Sequence, residues 1–167
     1  MFREWRVSSF NGALLAAYFI PTWTFVAWEI ISSPVHGLYE QPSIGVALFI
    51  SDHLYLTGMG VVRAAWLLAL GYLTVVAFFT TFVAFVLRPK SRKAGAWDEP
   101  LAMALGLGSL ISFASMVMAS QVGEIAALKL HATELLLLLG TVIVLVMERS
   151  PTELAVDVRA AEPIHNH

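Results

Sequence analysis

Polar and apolar positions alternate along this chain in blocks rather than in a short period. Four long apolar blocks stand out, at 10–31, 64–87, 101–120 and 126–147. Each is about 20 residues long, which at 1.5 Å per residue is the length of helix that crosses a hydrocarbon layer about 30 Å thick. The pattern predicts an all-α integral membrane protein. Its four transmembrane helices, TM1 to TM4, form a bundle over residues 1–147, with a polar tail at 148–167.

A fifth apolar stretch, "PSIGVALFISDHLYLTGMG" at 42–60, lies between TM1 and TM2. Counting it as a span would move the basic loop "RPKSRK" to the other side and leave both sides similarly basic. A re-entrant or interfacial helix on the outer face fits better. Its polar residues Ser51, Asp52 and His53 fan around the helix axis, whereas an interfacial helix normally gathers them on one face.

The basic residues orient the bundle. Arg3, Arg6, Arg88, Lys90, Arg92, Lys93, Arg149 and Arg159 fall on one side, against Arg63 and Lys129 on the other. Under the positive-inside rule, both termini and the loop after TM2 are expected in the cytoplasm, in a multi-pass protein of the cell (inner) membrane. The basic start "MFREWR" resembles that of a signal peptide, but the apolar run behind it exceeds the roughly 7–15 residues of a signal core and ends in Trp28-Glu29. A retained span is expected.

Composition agrees with the pattern. Of 167 residues, 58% are hydrophobic and 13% charged, against roughly 25% charged in a soluble domain. Mean hydropathy is +0.75. A net charge of −2 suggests no nucleic-acid partner, and the lack of cysteine excludes disulfides and thiolate metal sites.

Details within the spans suggest how they pack. Ala104, Gly108 and Ser112 make a small-xxx-small ridge on TM3, continued by Ser115 and Ala119. Such a ridge permits close helix approach and serine hydrogen bonds, either inside the bundle or between copies. Pro21 interrupts TM1, where Thr22 and Thr24 are placed to re-satisfy freed backbone. Trp5, Trp23, Trp28 and Trp97 lie near the ends of blocks, where tryptophan anchors helices at the membrane surface. In the tail, Ser150-Pro151-Thr152-Glu153 has the form of a helix start, predicting a short separate helix to about Ala161.

Candidate chemistry concentrates in "KLHATELLLLLG", Lys129 to Gly140. The charge-free run from Leu135 to Met147 reaches only about 20 Å. TM4 must therefore draw His131 and Glu134 below the surface. Glu124, His131 and Glu134 share one helical stripe, with Lys129 nearly opposite. An ionisable group facing hydrocarbon costs about 2.5–3.5 kcal/mol even on lenient scales. The stripe is thus expected to face the bundle and Lys129 the headgroups. Glu29 and Arg63 should reach the same leaflet, giving an intramembrane polar cluster of Glu29, Arg63, His131 and Glu134, with Arg63 as counter-ion.

Several functions are compatible with such a cluster. A non-catalytic subunit or accessory component of a membrane assembly leads, with lipid and other subunits or a second copy as partners. A metal centre from Asp52, His53, His131 and Glu134 is the main alternative, since imidazole and carboxylate suit zinc, iron or manganese. Met59, Met116 and Met118 extend it to Cu(I), and His53 with His131 to axial ligation of a b-type haem. A small proton-coupled transporter using Glu134 is a further alternative. Nucleophile elbows, HExxH zinc motifs and phosphate loops do not occur, so no enzyme activity is expected from motif.

Overall fold

The computed structural model describes residues 7–88 and 97–161, with side chains described as far as Glu148. Its elements are α1 (Val7–Ser32), α2 (Pro34–Tyr39), α3 (Ile44–Phe49) widening into a π-helical turn (Ile50–Leu54), α4 (Gly58–Leu87), α5 (Asp98–Gln121) and α6 (Ile125–Ala161). Four stretches are long and apolar enough to cross a membrane: Val7–Ser32, Gly58–Leu87, Asp98–Gln121 and Ile125–Glu148. The chain is a polytopic, all-α membrane protein, as the four apolar blocks predict.

The long helices close a ring in which α1 packs on α4, α4 on α5, α5 on α6, and α6 back on α1. In lipid this association gains little from the hydrophobic effect, so close packing and polar contacts must hold it. The α1–α4 seam is built from aromatics. Phe19 stacks on Phe79 at 5.7 Å, meets Trp23 edge-on at 4.8 Å, and Trp23 tilts against Tyr72 at 4.7 Å. Each such pair is worth about 0.5–1.5 kcal/mol beyond its area. On α5 the small residues Ala104, Gly108, Ser112, Ser115 and Ala119 are all buried. The ridge is consumed within the bundle, where Gly108 faces Leu138 of α6 and Val75 of α4.

Between α1 and α4 the chain turns back into the bundle. Gly37 of α2 lies on the α1 backbone so closely that a Cβ would sit 2.7 Å from Glu29 C and Ile30 N. Gly45 of α3 is equally tight, 2.7 Å from Ala119 Cβ. Side chains at either position would push the segment off. The Gln41–Pro42 bond at the turn is cis. The apolar helix Ile44–Leu54 is too short to span. Ser51, Asp52 and His53 do not spoil its packed face, because they occupy the exposed π turn at its end while Val46, Ala47 and Ile50 are buried.

Three expectations need correction. Helix α4 begins at Gly58 rather than at 64, since the glycines of "TGMG" sit in an exposed first turn where they break nothing. Helix α6 runs unbroken through Ser150-Pro151 to Ala161 instead of restarting there. Trp23 and Trp97 are buried, not surface anchors, although Trp28 is exposed; Trp5 lies outside the described residues. Trp23 falls on the same face of α1 as the buried Phe19, Val26, Ala27 and Ile30, so the helix carries it inward. At Pro21 the Thr22 hydroxyl bonds the Tyr18 carbonyl at 2.7 Å, while the carbonyl that the proline leaves free is that of Ala17.

Candidate functional site: a buried histidine–glutamate pair

His131 and Glu134 stand one turn apart on α6, each only 2% exposed. The i, i+3 spacing aims both side chains at the same neighbours. His131 Nδ1 lies 3.0 Å from Glu134 Oε2, and His131 Nε2 lies 3.2 Å from the Pro42 carbonyl oxygen. Trp23 of α1 donates its indole N–H to Glu134 Oε1 at 3.3 Å, and the Ser112 hydroxyl of α5 donates to Oε2 at 3.4 Å. Those two bonds are long; the histidine contact is the close one. One carboxylate and one imidazole thus join α1, the Pro42 turn, α5 and α6.

Hydrogen-bond complementarity assigns the protons. A carbonyl oxygen only accepts, so Nε2 must carry a hydrogen to bond Pro42. The Nδ1–Oε2 contact then holds a single proton, on the imidazole or on the carboxyl. Imidazolium with carboxylate, and imidazole with carboxylic acid, are both neutral overall. A net-neutral pair is what a low-dielectric interior tolerates, since an isolated charge there costs several kcal/mol. Chemically, the arrangement can hold helices together and can pass a proton between two atoms without changing its total charge.

Hydroxyls surround the pair. Tyr72 of α4, wholly buried, faces Ser43, Ser115 and Glu134. Tyr18 of α1 faces Glu134 from a more exposed position. Counting along the helices, His131, Ser115 and Tyr72 lie about 9–21 Å from the helix ends nearest α2 and α3. Pro42 and Ser43 reach them, so the tip of the segment between α1 and α4 inserts among the helices.

The remaining sequence candidates lie apart from this centre. Asp52 and His53 are exposed, and the His53 ring stacks on Phe49 at 4.7 Å. Arg63 is exposed and Glu29 half-buried; the partner of Glu134 is His131. His36 and Glu40 pair with each other at 2.8 Å on the surface. Lys129 is exposed, as expected for a residue at the rim. Among the described residues, no three His, Asp or Glu side chains are grouped so as to hold a metal ion.

Trp23, Pro42, Tyr72 and Ser43 were not marked by any motif. Only their tertiary positions bring them to Glu134, although the period of apolar residues on α1 could have turned Trp23 inward. At the opposite end of the bundle a second tie joins the same two helices. Glu148 of α6 accepts the Ser8 backbone N–H at 3.2 Å and also its hydroxyl, capping the start of α1. Compared with protein-family models, curated proteins and solved structures, the chain matches none.

Proposed function

We propose that the protein is a non-catalytic component of a membrane assembly, lying in the cell (inner) membrane with both termini cytoplasmic. In this reading the His131–Glu134 pair is a lock on helix register, and the docking surface is the exposed stretch from the π turn into the first turn of α4.

One observation carries the reading. Residues 51–59 are all exposed, and Leu54, Tyr55, Leu56 and Met59 among them are apolar, Tyr55 being 83% exposed. Arg63 and Arg88, both exposed, mark the two ends of α4. They are separated by about 37 Å of helix, more than a hydrocarbon core of about 30 Å even at a tilt of about 20°. The apolar loop precedes Arg63 and therefore projects beyond the hydrocarbon layer, where lipid tails do not cover it. Contiguous apolar surface outside lipid is a mark of protein contact. Tyr55 also holds a left-handed backbone (φ 47°), a conformation that bulky residues adopt only when their surroundings impose it. The partner that fits is the extramembrane surface of another membrane subunit, presenting aliphatic and aromatic side chains.

A photo-crosslinking residue at Tyr55, compared with one at the lipid-facing Leu136, tests this in intact membranes. A discrete protein adduct at Tyr55 and none at Leu136 is expected, with Leu54→Ser/Leu56→Ser abolishing it. An adduct of twice the chain's mass identifies a second copy as the subunit. Lipid adducts alone at both positions would make the loop a headgroup anchor and end the proposal. So would a Soret band, or stoichiometric metal lost on His131→Ala, in the detergent-purified protein.

A further inference from the structure

A cleft of about 330 Å³ opens between the last two turns of α1 and helix α2. Phe25 and Trp28, both exposed, form its apolar wall. Glu29 and Glu40, both half-buried, face it together with the exposed Ser32 and Ser33. His36 sets Glu40 in place, its Nε2 lying 2.8 Å from the carboxylate, and a neutral imidazole that donates there leaves the charge intact. Among the described residues, neither Arg63 nor Lys129 forms an ion pair with either acid. Two carboxylates thus share one cleft with two aromatic rings. The cleft also has a vertical order, because Phe25 lies one turn, about 6 Å, deeper along α1 than Glu29.

We infer that this cleft binds the ammonium headgroup of a phosphatidylethanolamine lipid. Carboxylates attract a cation and repel an anionic headgroup, and the faces of tryptophan and phenylalanine favour cations as well. The acceptors select among ammonium groups. A primary ammonium carries three N–H donors, which two carboxylates and two serine hydroxyls can take up, whereas a trimethylated one has none to give. The vertical order selects a lipid over a free amine. Trp28 stands near the end of a membrane-spanning helix, the level at which tryptophan meets headgroups, and Phe25 continues the wall toward the acyl chains. An amine arriving from water would use the carboxylates and leave that deeper wall idle. The cleft shares no residue with the proposed docking stretch, so the two readings stand or fall separately.

Native mass spectrometry of the full chain reads the preference directly. The chain is released from micelles carrying equal amounts of phosphatidylethanolamine, phosphatidylcholine and phosphatidylglycerol. One phosphatidylethanolamine should be retained about tenfold over phosphatidylglycerol, with phosphatidylcholine between them, since each exposed contact is worth a factor of about two to five. Glu29→Gln/Glu40→Gln should remove the preference. The single surface variants Glu40→Gln and Trp28→Leu, which leave the buried core untouched, should each reduce it about two- to fivefold. Equal retention of the three lipids by the unmodified chain overturns the inference, as does a preference that survives in Glu40→Gln and Trp28→Leu alike. A melting temperature raised by free ethanolamine, without any lipid preference, would give the cleft to a soluble amine instead. A protein adduct in place of a lipid adduct, from a photo-crosslinking residue at Ser32 in intact membranes, would give it to a partner's lysine and equally end the proposal.

Discussion

Two glutamates on α6 tie that helix to α1, and they do so under opposite conditions. Glu134 is buried and takes an indole N–H, a serine hydroxyl and an imidazole. Glu148, half-buried at the far end, takes the backbone N–H and hydroxyl of one residue at the start of α1. The spacing is nearly the same on both helices, Ser8 to Trp23 on one and Glu134 to Glu148 on the other, about 21 to 23 Å. Antiparallel helices tied at two such points cannot slide past one another. The difference is in what each carboxylate needs. Glu148 can fall back on water and headgroups, whereas Glu134 has only protein around it. The comparison teaches that burial, more than charge, decides how much a membrane carboxylate contributes.

Breaking the deeper tie should have the largest effect. Glu134→Ala leaves His131, Trp23 and Ser112 without their acceptor and should destabilise the fold by about 3–5 kcal/mol. Loss of near-UV circular dichroism from Trp23, and unfolding at lower denaturant, would register it. Glu134→Gln keeps an acceptor and should cost about half as much. In the double variant His131→Ala/Glu134→Ala the losses should sum to clearly less than the two singles, since neither partner is then left alone. Full additivity would show that the two side chains are not coupled.

The seat of the segment between α1 and α4 comes next. Gly45→Val sets a branched side chain against the α5 backbone at Ala119 and should cost about 1–3 kcal/mol. Faster proteolysis within residues 50–58 would show that the segment has lifted off, while an unchanged cleavage rate would mean that the tip alone holds it. Glu148→Ala removes the shallower tie and should cost about 0.5–2 kcal/mol, the range for a lost helix cap. A loss as large as that of Glu134→Ala would erase the contrast between the two glutamates. Smallest of all, His36→Ala breaks an exposed i, i+4 pair and should shift stability by less than about 0.5 kcal/mol.

Much of this architecture can be read along the chain because lipid is a severe solvent. A backbone crossing it must be helical, so block length gives the span count. The same severity turns His131 and Glu134 inward and leaves Lys129 at the rim. Arg63 illustrates where such reading fails. It was the obvious counter-ion by charge and by leaflet, yet it is exposed, and Glu134 takes the histidine one turn away instead. Sequence distance was the better guide there, because a helix fixes an i, i+3 neighbour regardless of how the bundle closes. Trp23 failed in the other direction. Its place near the end of a block resembled an anchor, and only the packing of α1 on α4 made it a donor to a carboxylate 111 positions later.

By itself the sequence determined four spans and a glutamate that must not face lipid, and it favoured without fixing a non-crossing fifth segment. These follow from transfer free energies, which act residue by residue and need no knowledge of neighbours. The tertiary structure decided which other groups meet that glutamate: an indole and a serine hydroxyl. It likewise decided that a carbonyl beside a proline meets the imidazole. Such partners depend on helix rotation and on how deeply one loop inserts, and those are set by packing among elements far apart in the chain.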